Sequence, residues 1–154
     1  MSDTHGSIAL AEKAIRAEMD IDLIIHLGDH YKDAQKLAYM FSDISFEYIC
    51  GNCDLAYEGV RSEKVLEIGG KNIMITHRHR YSVKEGPDKL YKRAEEKGLD
   101  LILFGHTHIA EINDKGHCCL INPGSISEPR GSKRGSYAIL DISNGTIQAK
   151  IIYV

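Results

Sequence analysis

A chain of 154 residues, 43% hydrophobic, 27% charged and with a formal net charge of -3, has the length for a buried core, so one domain over residues 1–154 is expected. That balance excludes a disordered chain and leaves no broad basic surface for neutralising nucleic-acid phosphates. No apolar run approaches a membrane span and the first residues lack the order of a secretion signal, so a cytoplasmic protein with no membrane partner is expected, its four cysteines reduced.

In chain order, Asp3-Thr4-His5-Gly6 places two potential ligands behind only Met1 and Ser2, with no strand to hold them. A helix is expected from Ser7 to Met19, with Ile8, Ala11, Ile15 and Met19 on one stripe and Glu12 four residues before Arg16. Asp22 to Leu27 is a mostly apolar strand of the kind buried on both faces of a parallel sheet, and it runs into Gly28-Asp29. His26 within it reads as a packed residue. The spacing predicts a second helix from Lys32 to Phe41, turning Ala34, Leu37, Ala38 and Phe41 inward. Phe46 to Cys50 is a strand ending at Gly51-Asn52, and residues 55–62 form a polar loop over its end. Cys50-Gly-Asn-Cys53 has redox or zinc spacing, but neither a second such pair nor a thioredoxin-like order accompanies it.

Lys64 to Ile68 and Lys71 to Thr76 flank Gly69-Gly70 as a hairpin whose second strand runs into His77. A third helix has Pro87 at its first position and ends at Gly98. Leu101 to Phe104 is an apolar strand that stops at Gly105 and delivers His106 and His108. Ile109 to Ile112 and His117 to Ile121 pair across a turn at Asn113 to Gly116, with His117 read as structural. After Asn122-Pro123-Gly124-Ser125 and a loop containing Arg130, Ser136 to Ile142 and Thr146 to Val154 form a last hairpin. The order implies an α/β layered domain in which parallel strands meet an antiparallel group. In such sheets the ligand site lies at the carboxyl ends of the strands.

The residues at those ends are Asp3, His5, Asp29, Asn52, His77, His106 and His108. Their oxygen and nitrogen donors suffice for two metal ions sharing one carboxylate. Without thiolates the set points away from closed structural zinc and toward harder or catalytic ions. A pair of ions a few ångströms apart clamps an in-line displacement at phosphorus, so the chemistry implied is phosphoester hydrolysis.

Asp3-Thr-His5-Gly, Gly28-Asp29, Gly51-Asn52-Cys-Asp54, Thr76-His77-Arg-His79, Gly105-His106-Thr-His108 and Asn122-Pro-Gly-Ser125 together resemble the calcineurin-like metallophosphoesterase superfamily, and within it the small YfcE-type phosphodiesterases. The resemblance implies a four-layer α/β/β/α sandwich of two mixed sheets, with the first strand truncated here. It assigns Asp3, His5 and His108 to one metal, Asn52, His77 and His106 to the other, and Asp29 to both. The catalytic candidates are Asn52, Asp54 and His79. Two divalent ions are implied, manganese first, with nickel, zinc, iron and magnesium as alternatives. A metal-bridging hydroxide would attack a small phosphodiester or phosphomonoester; self-association into a homo-oligomer is left open.

Three positions depart from the pattern. Cys53 stands where many relatives carry histidine, Arg78 where this subfamily has glycine, and the strand leading into Asp3 is missing. The last departure implies either a start recorded several residues late or partial loss of the metal site held by His108. The alternative function is a catalytically weak or inactive protein-interaction scaffold of the same fold.

Overall fold

A computed structural model describes residues 1–54, 59–77 and 87–154. Among the described residues, three ten-residue helices, α1 (Ile8–Ala17), α2 (Tyr31–Met40) and α3 (Asp88–Lys97), accompany nine strands. These are β1 (Leu23–His26), β2 (Ser45–Tyr48), β3 (Glu63–Ile68), β4 (Lys71–Thr76), β5 (Leu101–Phe104), β6 (Ala110–Asp114), β7 (Cys119–Pro123), β8 (Ser136–Ser143) and β9 (Thr146–Tyr153). No described helix is long and apolar enough to cross a membrane.

The central sheet has the order β3-β4-β5-β7-β6, with β4, β5 and β7 parallel and the outer strands antiparallel. β5 is buried along its whole length. That explains why Leu101 to Phe104 is an unbroken apolar run: a central parallel strand is covered on both faces. On one face, Leu90, Tyr91 and Ala94 of α3 pack over Met74, Ile102, Phe104 and Leu120. On the other, Ile73, Ile75, Leu103 and Ile121 meet Leu27, Ile49, Leu140 and Ile142 from the remaining strands. Beyond those strands, Ala11, Ala14 and Ile15 of α1 and Leu37 of α2 pack with Ile24 and Tyr137.

The fold is mixed α/β with several sheets, as expected, but the second sheet differs from the expectation of one continuous mixed sheet. It consists of two separate pairs, parallel β1-β2 and antiparallel β8-β9. Element ends also shift. α1 is shorter than expected and stops at Ala17 with Glu18 already extended, and His117 lies exposed in the turn before β7 rather than within a strand. Pro87 caps α3 in helical geometry and Gly98 ends it at φ +60, a left-handed conformation that glycine adopts without a Cβ penalty. Cys118 faces the core while Cys119 is half-buried.

The missing approach strand does not leave Asp3 loose. Asp3 N–H donates to Gly28 O at 3.1 Å. Its own carbonyl accepts Ser125 Oγ–H at 2.7 Å and Ser127 Oγ–H at 3.1 Å. Thr4 is held from the other side, its hydroxyl donating to Asp33 Oδ2 at 2.8 Å, and the same carboxylate oxygen accepts Gly6 N–H at 2.8 Å. The expectation that Met1 and Ser2 alone anchor the first ligand is therefore corrected: the anchors come from the turn after β1, from α2 and from the segment after β7.

Candidate metal centre

The chain places its polar strand ends by leaving regular geometry just past each strand. Asp3, His5, Asp29, His30, His106 and His108 all have positive φ, between 43 and 75. Each such non-glycine residue costs about 1–2 kcal/mol, and the six cluster at one end of the sheets. Strain concentrated in this way is tolerated where the surroundings over-determine the conformation.

Close approach of the backbone is part of the same construction. A Cβ on Gly51 would lie 2.1 Å from Asp29 Oδ1, and one on Gly105 would lie 2.1 Å from Ser2 Oγ and 3.1 Å from Asp3 Oδ2. Both glycines clear the space in which the carboxylates turn inward.

Asp3, His5, Asp29 and His108 each offer one donor atom, and those atoms lie within 4.8 Å of one another. His108 Nε2 is 3.3 Å from Asp3 Oδ1 and 3.4 Å from His5 Nε2, and His5 Nε2 is 3.8 Å from Asp29 Oδ2. On the other side of Asp29, its Oδ1 is 3.3 Å from His77 Nε2, which is itself 3.2 Å from Asn52 Oδ1. His106 completes this side with its ring 5.2 Å from that of His77, and its N–H donates to Asp3 Oδ2 at 3.2 Å. Asp3, His5, Asp29 and His108 thus form one cluster of donor atoms, and His77, Asn52 and His106 lie on the other side of Asp29.

The donor set fits divalent cations on two counts. His77 Nδ1 is 2.7 Å from Leu27 O, and His108 Nδ1 is 2.6 Å from Glu128 O. A carbonyl only accepts, so each Nδ1 carries its proton and the neutral ring presents a bare Nε2 lone pair to the centre. Asp3 Oδ1 is buried without a hydrogen-bond partner, an arrangement that costs several kcal/mol in an anion unless a cation answers it.

The electrostatics agree. Burial would raise the Asp29 carboxyl, but His77 and the Cys53 N–H outweigh it and hold the group well below the usual carboxylate range. Burial of Asp3 is likewise outweighed by His108 and His77. His108 is pushed up by Asp3, and His77 by Asp29 and Asp3 against its own burial. Both carboxylates are therefore ionised at neutral pH, as metal ligation requires.

Of the catalytic candidates, Asn52 is exposed at the rim with its amide oxygen 3.2 Å from His77 Nε2. Asp54 has both carboxylate oxygens bonded to backbone: Oδ1 accepts His30 N–H at 2.9 Å and Tyr31 N–H at 3.1 Å, and Oδ2 accepts Gly51 N–H at 2.8 Å. His79 and Arg78 lie outside the described residues. Cys53 is exposed beside the centre, its N–H on Asp29 Oδ1 at 2.9 Å. Loss of solvation, then the charge of Asp29, pushes its thiol up to about 11.

Residues not anticipated as part of the site include Ser127, Thr4, Asp33 and the Glu128 carbonyl, all of which hold ligands in place. His26 is fully buried, accepts Gly28 N–H at Nδ1 and sits 3.2 Å from Thr4 Oγ1 through Nε2. Ser125 had a signal in the Asn122-Pro-Gly-Ser motif; Asp33 and Glu128 had none, since their roles depend on contacts between distant segments.

Residues 1–145 match the calcineurin-like phosphoesterase superfamily domain. Over 145 residues the chain is 39% identical to the probable metallophosphoesterase YsnB of Bacillus subtilis, covering 94% of this chain and 83% of that protein. The phosphodiesterase YfcE of Escherichia coli is 26% identical, with 91% and 84% covered. The crystal structure of a predicted phosphoesterase from Streptococcus pneumoniae superposes with a TM-score of 0.82 at 28% identity, covering 99% of this chain and 86% of that one. With a fold and a cluster of carboxylates and imidazoles to match, the chain belongs to the calcineurin-like phosphoesterase superfamily.

Proposed function

We propose that the protein is a dinuclear metal-dependent phosphodiesterase. The observation that carries this reading is the position of Asp29, whose two oxygens face different histidines, Oδ2 toward His5 at 3.8 Å and Oδ1 toward His77 at 3.3 Å. One carboxylate within reach of both groups suits a ligand shared by two ions. Asp3, His5 and His108 would hold the first ion, and Asn52, His77 and His106 the second. The ions, when bound, supply a water of lowered pKa and neutralise charge at the phosphoryl oxygens.

The chain's own contribution is orientation. Leu27 O and Glu128 O fix the tautomers of His77 and His108, and Ser125, Ser127 and Gly28 fix the backbone of Asp3. Asp54 is a positioning residue that ties the start of α2 to the Gly51 turn. Exposed Asn52 leaves the second group open to substrate. Cys53 is a weak proton donor there, so diesters with acidic leaving groups suit the site better than alkyl esters. A YfcE relative named as a phosphodiesterase supports the diester class.

The test is hydrolysis of bis(p-nitrophenyl) phosphate by metal-stripped protein after addition of manganese, nickel or magnesium. Restored turnover is expected, with manganese first. No turnover with any of the three overturns the reading in favour of a non-catalytic scaffold.

A further inference from the structure

Six non-glycine residues take positive φ beside the metal centre, and five of them, Asp3, His5, Asp29, His106 and His108, belong to the ligand set. The sixth is His30, at φ 71 and ψ 54. A left-handed position suits glycine or asparagine, so an imidazole there is a departure that the surroundings must hold. They do so through Asp54, whose Oδ1 accepts the N–H groups of His30 at 2.9 Å and of Tyr31 at 3.1 Å. Strain held in this way at the edge of a site points to a use for the side chain.

His30 stands immediately before α2, yet its side chain makes no capping hydrogen bond. Among the described residues its ring nitrogens have no hydrogen-bond partner. The ring is half-buried, 5.4 Å from the ring of His5 and tilted 59° to it. His5 Nε2 is in turn 3.4 Å from His108 Nε2 and 3.8 Å from Asp29 Oδ2, so His30 borders the first group of ligands. The other rim side chain at His5 is Glu128, with Oε2 4.0 Å from His5 Nε2. A carboxylate only accepts, whereas an imidazole carries an N–H donor in either tautomer. Cys53, a weak donor, is tied instead to Asp29 Oδ1, the oxygen that faces His77. On the His5 side, therefore, His30 is the side chain suited to donate to an anion.

We infer that His30 binds the substrate's phosphoryl group, its ring N–H donating to a phosphoryl oxygen beside Asp3, His5 and His108; this rests on the dinuclear phosphodiesterase reading above. It adds to that reading a substrate-contacting residue outside the ligand set. Asp54 then acts through His30, because the carboxylate that holds the His30 backbone also aims its ring.

Two substitutions of like size separate the donor from the bulk of the ring. His30→Gln keeps an N–H donor and His30→Leu removes it, while both leave a Cβ at the same left-handed position. Inorganic phosphate is titrated calorimetrically into the manganese-loaded parent and both variants, after bound metal has been counted in each. His30→Leu is expected to weaken phosphate binding ~10-fold or more, the usual cost of a hydrogen bond to an anion, and His30→Gln to stay within ~3-fold of the parent. Bound manganese should be equal in all three. With bis(p-nitrophenyl) phosphate, His30→Leu should raise KM by a similar factor and keep kcat within ~3-fold, the pattern of a contact made in ground and transition states alike. Should His30→Leu fail to fold, His30→Gly, which relieves the left-handed backbone, serves as the variant without a donor. Equal phosphate affinity in the parent and the donor-less variant overturns the role of His30 and leaves the dinuclear reading standing. So does loss of manganese from that variant, since the ring would then support His5 or bind an ion itself. A manganese-loaded parent that binds no phosphate overturns both.

Discussion

His77 turns its Nδ1–H to the Leu27 carbonyl at 2.7 Å, and the strand that carries Leu27 also delivers Asp29, the carboxylate that His77 faces with its bare Nε2. The segment that fixes the ring therefore also supplies its partner. Removing ligands one at a time should separate the two ions: His77→Ala is expected to lose one equivalent of metal, and Asp29→Asn to weaken both. Either change should lower kcat at least ~100-fold, a typical cost for losing a group that stabilises transition-state charge. Metal analysis beside single-substrate kinetics checks it.

Ser125 is fully buried, its hydroxyl donating to Asp3 O at 2.7 Å while accepting Glu128 N–H at 2.8 Å. Ser125→Ala removes an acceptor from a buried N–H and a donor from the first ligand's backbone. A stability loss of about 1–3 kcal/mol is expected, with metal affinity down ~10–100-fold as for outer groups that orient ligands. Urea unfolding and a manganese titration measure the two effects separately.

Burial lowers His26 from 6.5 to about 3. Between those values the unfolded chain binds a proton that the folded chain refuses, so stability falls as the pH drops through this window. By pH 5 the loss amounts to about 2 kcal/mol from this residue. His26→Gln keeps a side-chain amide for the Thr4 hydroxyl but does not titrate. Its urea-unfolding free energy should therefore change less between pH 7 and pH 5 than that of the parent, and an equal change would contradict the assignment.

Cys53 sits beside Asp29 with its thiol pushed up to about 11. Replacing it by histidine places a group of ordinary pKa near 6.5 at the same rim. Cys53→His should raise turnover of alkyl phosphate esters by ~10-fold or more while leaving bis(p-nitrophenyl) phosphate within a few-fold, because only poor leaving groups need the proton. A steady-state comparison of the two substrates decides it.

The strands and the site were legible to different depths, for physical reasons. Leu101 to Phe104 and Ile73 to Thr76 announced themselves because a buried parallel strand must be apolar throughout, and the glycines after β1, β2 and β5 marked where polar side chains converge. What the order of residues could not convey was pairing across long separations. Ser125 and Ser127 anchor Asp3 from more than 120 residues away, and Asp33 reaches Thr4 from a helix whose buried face looked merely apolar. Asp54, grouped with the catalytic candidates by its motif, has both carboxylate oxygens taken by backbone N–H groups. The division of the second sheet into β1-β2 and β8-β9 was equally hidden, since each hairpin or crossover is locally complete and only the space between them is not.

The shared role of Asp29 is tested most directly by counting metal bound per chain after equilibration with excess manganese and removal of the free ion. The account predicts two equivalents in the parent protein, with one lost in His77→Ala. A single equivalent in the parent that survives His77→Ala would contradict a second ion at Asn52, His77 and His106.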